Sequence, residues 1–318
     1  MKQWPKLLLA AVMIGAIVYL CRSHLGRLDL LLQVKPVWVA ITLAIFVLTR
    51  MLDGVVFHLA LGHLGVSMGY YESFMIYTIM SYTNMLVPHA GLGAPALYLK
   101  SKYQLNYSAF AALLIPTIII QMACVGLVGL GFLGWRAFTS GLEGAWPLWT
   151  AFAAVTGISV IVLLLPTRVP SSWSGRVGNF LRNFGSSWSS MRQRPRLIAL
   201  ITAVQLAAIF LRAVRLDAAF AALGVHASFS GVMVAMVAAQ IMFLVSITPG
   251  ALGLREAAIT YVYAVLIGTP EIAVNAALLD RMTLMLGTIV IAQVGLWQFV
   301  RPVLGRTRNL PLPAGPNR

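Results

Sequence analysis

The sequence predicts an all-α fold, a polytopic transmembrane helix bundle. Three observations predict it. The first is composition: 60% of the 318 residues are hydrophobic and 10% are charged, where soluble domains carry about 25% charged residues. The second is pattern, since apolar runs long enough to cross a bilayer, about 20 residues, recur along the whole chain. The third is a pair of Pro/Gly breaks, Pro88 to Gly93 and Pro249 to Gly253, each closing an apolar run. Paired interrupted segments in corresponding places point to an internal two-fold repeat with two broken, re-entrant segments.

The net charge of +15 fits this class. Arginines between spans are what membrane insertion and anionic headgroups select, so nucleic acid is not an expected partner. Cys21 and Cys124 lie far apart in or beside apolar runs, which gives neither a disulfide framework nor a metal site. No cofactor or metal is expected.

Residues 1–36 form an N-terminal span and an interfacial segment. Lys2 and Lys6 precede the apolar run Leu7 to Leu20, and no small-residue cleavage site comes after it, so the span is read as uncleaved. Residues 37–165 form the first membrane repeat. Its opening span, Val37 to Leu61, contains Arg50 and Asp53, three apart and so on one helical face. That pair reads either as a packing lock or as a phosphate contact. The next span, Tyr70 to Val87, holds Glu72 near its start, where a helix N-terminus favours an anion, and Asn84 near its end. After the Pro88, Gly91, Gly93 break come Lys100 and Lys102. The run from Leu105 to Gly134 is long and contains Pro116, so a re-entrant piece and then a span are expected. Gly126, Gly129 and Gly134 read as close helix contacts. Trp135 to Pro147 reads as an aromatic connection, and Leu148 to Leu165 as a span.

Residues 166–196 are expected to be a basic cytoplasmic loop, with Arg168, Arg176, Arg182, Arg192, Arg194 and Arg196 and no acid. Residues 197–300 form the second membrane repeat. Its first span, Leu197 to Leu223, holds Arg212, Arg215 and Asp217, and one of the arginines is expected to pair with Asp217 or Asp53. A span from Ser230 to Ile247, the second break, a half-helix from Ala257 to Ile267, and a last span from Glu271 to Val300 with Asp280 and Arg281 complete it. Residues 301–318 are a basic, Pro-rich tail. Upstream of the breaks, Arg50 matches Arg212, and Leu61-Gly62 matches Leu223-Gly224 at the same spacing. Charge leaves two topologies open. Eight full spans put the central loop and the termini on opposite sides. One more crossing in each half puts them together and inverts the repeats.

The second break carries the most specific signal. Pro249 removes a backbone donor, Gly250 and Gly253 admit conformations closed to other residues, and Arg255 and Glu256 come directly after. Pro249-Gly250-Ala251-Leu252-Gly253-Leu254-Arg255-Glu256 is close to a P-G-G-L-G-x-R-E signature, and Pro88 to Gly93 with Tyr98-Leu99-Lys100 fits more loosely. On these residues the chain resembles, from roughly Leu30 to Val300, the integral-membrane proteins related to the transmembrane region of lysylphosphatidylglycerol synthase, which includes a flippase portion. The resemblance implies lipid translocation, and other members accompany polyprenol or hopanoid lipid pathways. That family usually has an acidic residue after the first-half glycine and a charged pair in the next helix. Ala94-Pro95 and Ile115-Pro116-Thr117 stand there instead, which shifts the expected site to the second half. Synthase activity is not expected.

The expected function is flippase-like translocation of an anionic phospholipid or lipid-linked intermediate in a bacterial-type cytoplasmic (inner) membrane. Arg50, Arg212 and Arg215 would contact a phosphate. Pro249 to Gly253 would leave backbone groups free, and Arg255 and Glu256 would order or gate that loop. Asp53, Asp217 or Asp280 would carry any coupled proton, since no nucleotide-binding motif is present. Two other readings stand: a non-catalytic membrane partner of lipid-synthesis enzymes, and a polyprenyl-phosphate or phospholipid transferase. The chain has no D-x-x-D run or Ser/His/Asp constellation that would favour an enzyme.

Overall fold

The computed structural model describes residues 34–87, 90–105, 107–140, 145–164, 176–243, 248–267 and 270–302. The expected first span, Cys21, Pro88 and the tail beyond 302 lie outside them. The described residues are helical throughout, with no strand among them. Ten α-helices succeed one another: α1 (Pro36–His63), α2 (Tyr70–Leu86), α3 (Gly93–Tyr103), α4 (Tyr107–Ser140), α5 (Trp146–Leu164), α6 (Arg176–Arg192), α7 (Pro195–Ala222), α8 (Phe229–Ile241), α9 (Leu254–Ile267) and α10 (Pro270–Gly295). A 3₁₀ turn, Ala90–Leu92, stands at the first break, and another, Pro249–Ala251, at the second. A π-turn, Leu296–Val300, extends α10. Among the described residues five helices are long and apolar enough to cross a membrane: α1, α4, α5, α7 and α10 with its π-turn.

α1 and α7 each begin on a proline at the first turn, where its missing N–H costs nothing. Each ends in a turn through a left-handed glycine, Gly65 at φ 78° and Gly224 at φ 75°. The next helix starts at the same distance beyond. This register matches Leu64-Gly65, not Leu61-Gly62, with Leu223-Gly224. It therefore matches Asp53, not Arg50, with Arg212.

α2 and α3 make a hairpin. Glu72, in the first turn of α2, accepts hydrogen bonds from Tyr98, Lys102 and Tyr103 of α3, so α3 turns back along α2. α8 and α9 make a second hairpin. Arg136 of α4 donates to Ser228 Oγ, which precedes α8, and to the Leu266 carbonyl, in the last turn of α9. α4 thus starts where the first hairpin closes and reaches the closure of the second near its own end. From Tyr107 to Arg136 a helix rises about 44 Å, so the two hairpins open towards opposite ends of the bundle. α7 runs antiparallel to α1: Arg212 meets Asp53, and further along α7, Arg215 lies over Phe46, earlier in α1.

Several local expectations are corrected. Pro116 does not divide its segment. It sits inside α4, a single helix of 34 residues, and the Thr117 hydroxyl bonds the Leu114 carbonyl (2.7 Å) beside it, the kind of local adjustment that lets membrane helices keep a proline. The connection expected over Trp135 to Pro147 is shorter, because α4 continues to Ser140 and α5 starts at Trp146. The central basic segment is not all loop. It contains α6, whose Trp188 is buried and donates to the Leu163 carbonyl at the end of α5. The span expected to reach Ile247 is helical only to Ile241.

The small-residue contacts hold at two of three positions. A Cβ at Gly126 would lie 2.1 Å from the Thr156 hydroxyl, and one at Gly129 2.5 Å from the Phe152 ring, so α4 and α5 pack at backbone distance there. Gly134 has room. Cys124 is a buried free thiol.

Candidate functional site: an arginine network between two helix breaks

The two breaks converge on the end of α2. At the first, the Gly91 N–H donates to Asn84 Oδ1 (2.7 Å), and a Cβ at Gly91 would strike that amide. At the second, a Cβ at Gly250 would lie 3.4 Å from the Met85 Cα. Gly250, Ala251 and Gly253 all have positive φ, at 57°, 55° and 83°. Such a conformation is uncommon for a residue with a Cβ, as Ala251 has. The charged residues around this turn fix it. Glu256 accepts from the Gly253 N–H (2.7 Å), the carboxylate half of a capping box. Arg281 donates to the Gly250 carbonyl (2.8 Å), and the Thr248 hydroxyl to that of Leu252 (2.8 Å). Gly93 simply opens α3, with nothing near its missing side chain.

Behind the turn lies an ion network drawn from six helices. On one side Asp53 (α1) pairs with Arg212 (α7) and, at 3.5 Å, with Arg50 (α1). Arg50 donates to Ser81 Oγ of α2 (2.9 Å), and Arg212 to Gln240 Oε1 of α8 (3.1 Å). On the other side Asp280 (α10) is shared by Arg215 (α7; Nε to Oδ1 2.6 Å) and Arg255 (α9). Phe46 joins the two sides, since the guanidiniums of Arg50 and Arg215 stand 5.3 Å and 5.9 Å from its ring. Arg281 and Glu256 face each other at 3.8 Å. Among the described residues five arginines meet three carboxylates, so positive charge is in excess there. Asp280 is fully buried, and Arg215, Arg255 and Arg281 nearly so, whereas the Arg50 and Arg212 side chains keep 13% exposure. Gln240 Nε2, Arg255 Nη1, Glu256 Oε1 and Arg281 Nε are buried without a hydrogen-bond partner among the described residues.

The structure therefore brings together Arg50, Asp53, Arg212, Arg215, Pro249, Gly250, Gly253, Arg255, Glu256, Asp280 and Arg281. Asp217 does not join them. It makes no ion pair among the described residues, because residues two apart on a helix point to different sides, and Arg215 already faces the network. Arg255 does not order the loop either. Its guanidinium turns inward to Asp280, and Arg281 holds the loop instead. Asp53 and Asp280 are each shared by two arginines.

Sequence reasoning misses two groups. In the sequence the α2 terminus alone accounts for Glu72, yet two phenols and the Lys102 ammonium converge on one of its oxygens. The i, i+4 spacing of Tyr98 and Lys102, a phenol and a basic residue on one helix face, is the available signal. Arg136 sits at the end of an apolar run, inside the stretch that reads as an interfacial connection, and so does not stand out. It is 9% exposed. A groove of about 540 Å³ between α4 and α8, lined by Val128, Gly131, Phe132, Trp135, Phe229 and Ser230, shares no residue with the network.

The family model described as the lysylphosphatidylglycerol synthase TM region matches residues 5–292. The chain belongs to this family. No curated protein and no solved structure matches it. Membership makes it a multi-pass membrane protein of lipid metabolism, in keeping with the five membrane-length helices among the described residues. The match extends well beyond the second-half signature and takes in both breaks and every residue of the network.

Proposed function

We propose that this family member moves an anionic phospholipid, or a lipid-linked intermediate with a phosphate, between leaflets, with its headgroup held by the arginine network. The observation that carries the reading is the excess of arginine at the junction of two broken helical hairpins. Charge at such depth costs about 2.5–3.5 kcal/mol per residue on insertion scales. A fold that needed only a packing lock would balance it. Broken helices around a central site are also how many transporters build binding sites.

The roles divide by exposure. Arg50 and Arg212, the two partly exposed guanidiniums, are the phosphate contacts. Arg215, Arg255 and Asp280 form a buried brace, and Glu256 with Arg281 sets the shape of the second turn. The reading needs no covalent chemistry and no cofactor.

The opposed hairpins support an inverted repeat with two re-entrant segments whose tips meet inside the membrane. The end where the first hairpin closes carries exposed Lys100, Lys102, Arg192, Arg194, Arg196 and Arg301, while the described residues of the other end expose chiefly Lys35 and His226. By the positive-inside rule the first end faces the cytoplasm of a bacterial-type inner membrane. Each hairpin then returns to the side it entered from, which keeps α6 and the end of α10 together on the inner side.

The test is leaflet exchange of a fluorescent phosphatidylglycerol in vesicles containing the purified protein. Exchange by the wild type that is lost in Arg212→Ala, with the variant still monodisperse, is the expected result. No exchange of any lipid class by folded wild type would overturn the reading in favour of a non-transporting partner of lipid-synthesis enzymes.

A further inference from the structure

The polar contacts of α2 do not stop at the network. They continue along its seam with α10 towards the end where the first hairpin closes. The Gln293 amide donates to the Tyr82 hydroxyl (3.2 Å), and the Tyr71 hydroxyl donates to Gln298 Oε1 (3.0 Å). Gln293, Gln298 and Tyr71 are exposed and Tyr82 is half-buried. Apolar side chains surround them on the same surface of α10: Val290 and Trp297 are 64% and 66% exposed.

The geometry of the two helices builds this row. Tyr71 and Tyr82 are three helical turns apart, so they share a face of α2. On α10 an α-helix would turn Gln298 away from Gln293. The π-turn at Leu296–Val300 bonds i to i+5 and returns Gln298 to the same side. Tyr82 lies about 16 Å along α2 from Tyr71, halfway into a hydrocarbon layer of about 30 Å. A phenol and an amide on the outer surface at that depth are costly against lipid tails. Ser81, the acceptor for Arg50, precedes Tyr82 and lies a little over a quarter-turn round α2, so a headgroup at Tyr82 swings round that helix to reach one of the two partly exposed arginines.

We propose that the α2–α10 seam is a lateral path for a phospholipid headgroup. It runs from Tyr71 and Gln298 through Tyr82 and Gln293 to Ser81 and Arg50. The tyrosine–glutamine bonds open one after the other and are replaced by bonds to phosphate and glycerol oxygens. The acyl chains stay in the bilayer against Val290 and Trp297. This inference rests on the translocation reading and specifies its route.

The experiment compares wild type with the Tyr82→Phe/Gln293→Leu double variant in phosphatidylcholine vesicles carrying a fluorescent phosphatidylglycerol. Exchange is expected to fall about tenfold, with the unfolding temperature kept. Unchanged exchange in the double variant overturns the path and leaves the translocation reading standing. No exchange by wild type overturns that reading, and the path with it. A second measurement covers a double variant that fails to fold. With Cys21 and Cys124 replaced, Gln293→Cys should react with a water-soluble thiol reagent, and Val290→Cys should not. Equal reactivity at the two positions means ordinary interhelical packing and overturns the path.

Discussion

The two hairpins differ in where they carry their charge. The first, α2 and α3, is charged at its closed end, through Glu72 and Lys102, while at its tip, among the described residues, the amide of Asn84 holds Gly91. The second, α8 and α9, is charged at both places, with Arg136 at the closed end and Arg255, Glu256, Asp280 and Arg281 around the tip. At the closed ends Lys102 reaches water, while the buried Arg136 is held by hydrogen bonds to Ser228 and the Leu266 carbonyl. Charge at a tip lies deep among helices, where ions lose their hydration. The described part of the first break is thus held by an amide, and the second by charged side chains. The proposed function assigns the charge at the second tip to an anionic headgroup.

The sharpest way to break this comparison is Asp280→Asn. It strands Arg215 and Arg255, and removing one partner of a buried pair costs about 3–5 kcal/mol. The expected result is a large drop in unfolding temperature in detergent, or loss of folded protein. Asn84→Ala at the other tip removes one neutral hydrogen bond, about 0.5–1.5 kcal/mol. Equal losses from the two would mean that the tips are energetically alike.

The closed ends offer a smaller effect. Arg136→Gln loses charge-assisted bonds to Ser228 and Leu266, each worth about 1.5–3 kcal/mol. It should lower the unfolding temperature, while exchange by the folded fraction stays close to wild type. A selective loss of exchange would place Arg136 in the transport route and blur the distinction between closed end and tip.

The smallest expected effect compares two glycines. Gly250→Ala forces a Cβ into the left-handed region, about 1–2 kcal/mol, and places it 2.9 Å from Arg281 Nη2. Gly93→Ala meets open space at a helix start and should be neutral or slightly stabilising. Thermal unfolding of the two variants side by side checks this.

By itself the sequence determined the features that local rules govern. Hydropathy set the class, because a bilayer demands long apolar helices whatever their partners. Pro88 and Pro249 with their glycines marked both breaks, because backbone conformation is a nearest-neighbour property. The three-residue spacing of Arg50 and Asp53 put them on one face, where they do pair at 3.5 Å. Only the tertiary structure decided the features that depend on how each helix is rotated and which neighbour it meets. It gave Asp280 to Arg215 and Arg255, which lie on two other helices. It turned Asp217 away, carried α4 through Pro116, and fastened Glu72 and Arg136 to hairpin ends that sequence spacing does not join. It also opposed the two hairpins. Charge counting leaves two topologies equal, because the sign of a loop says which side it prefers, not whether the chain between two loops crosses or turns back.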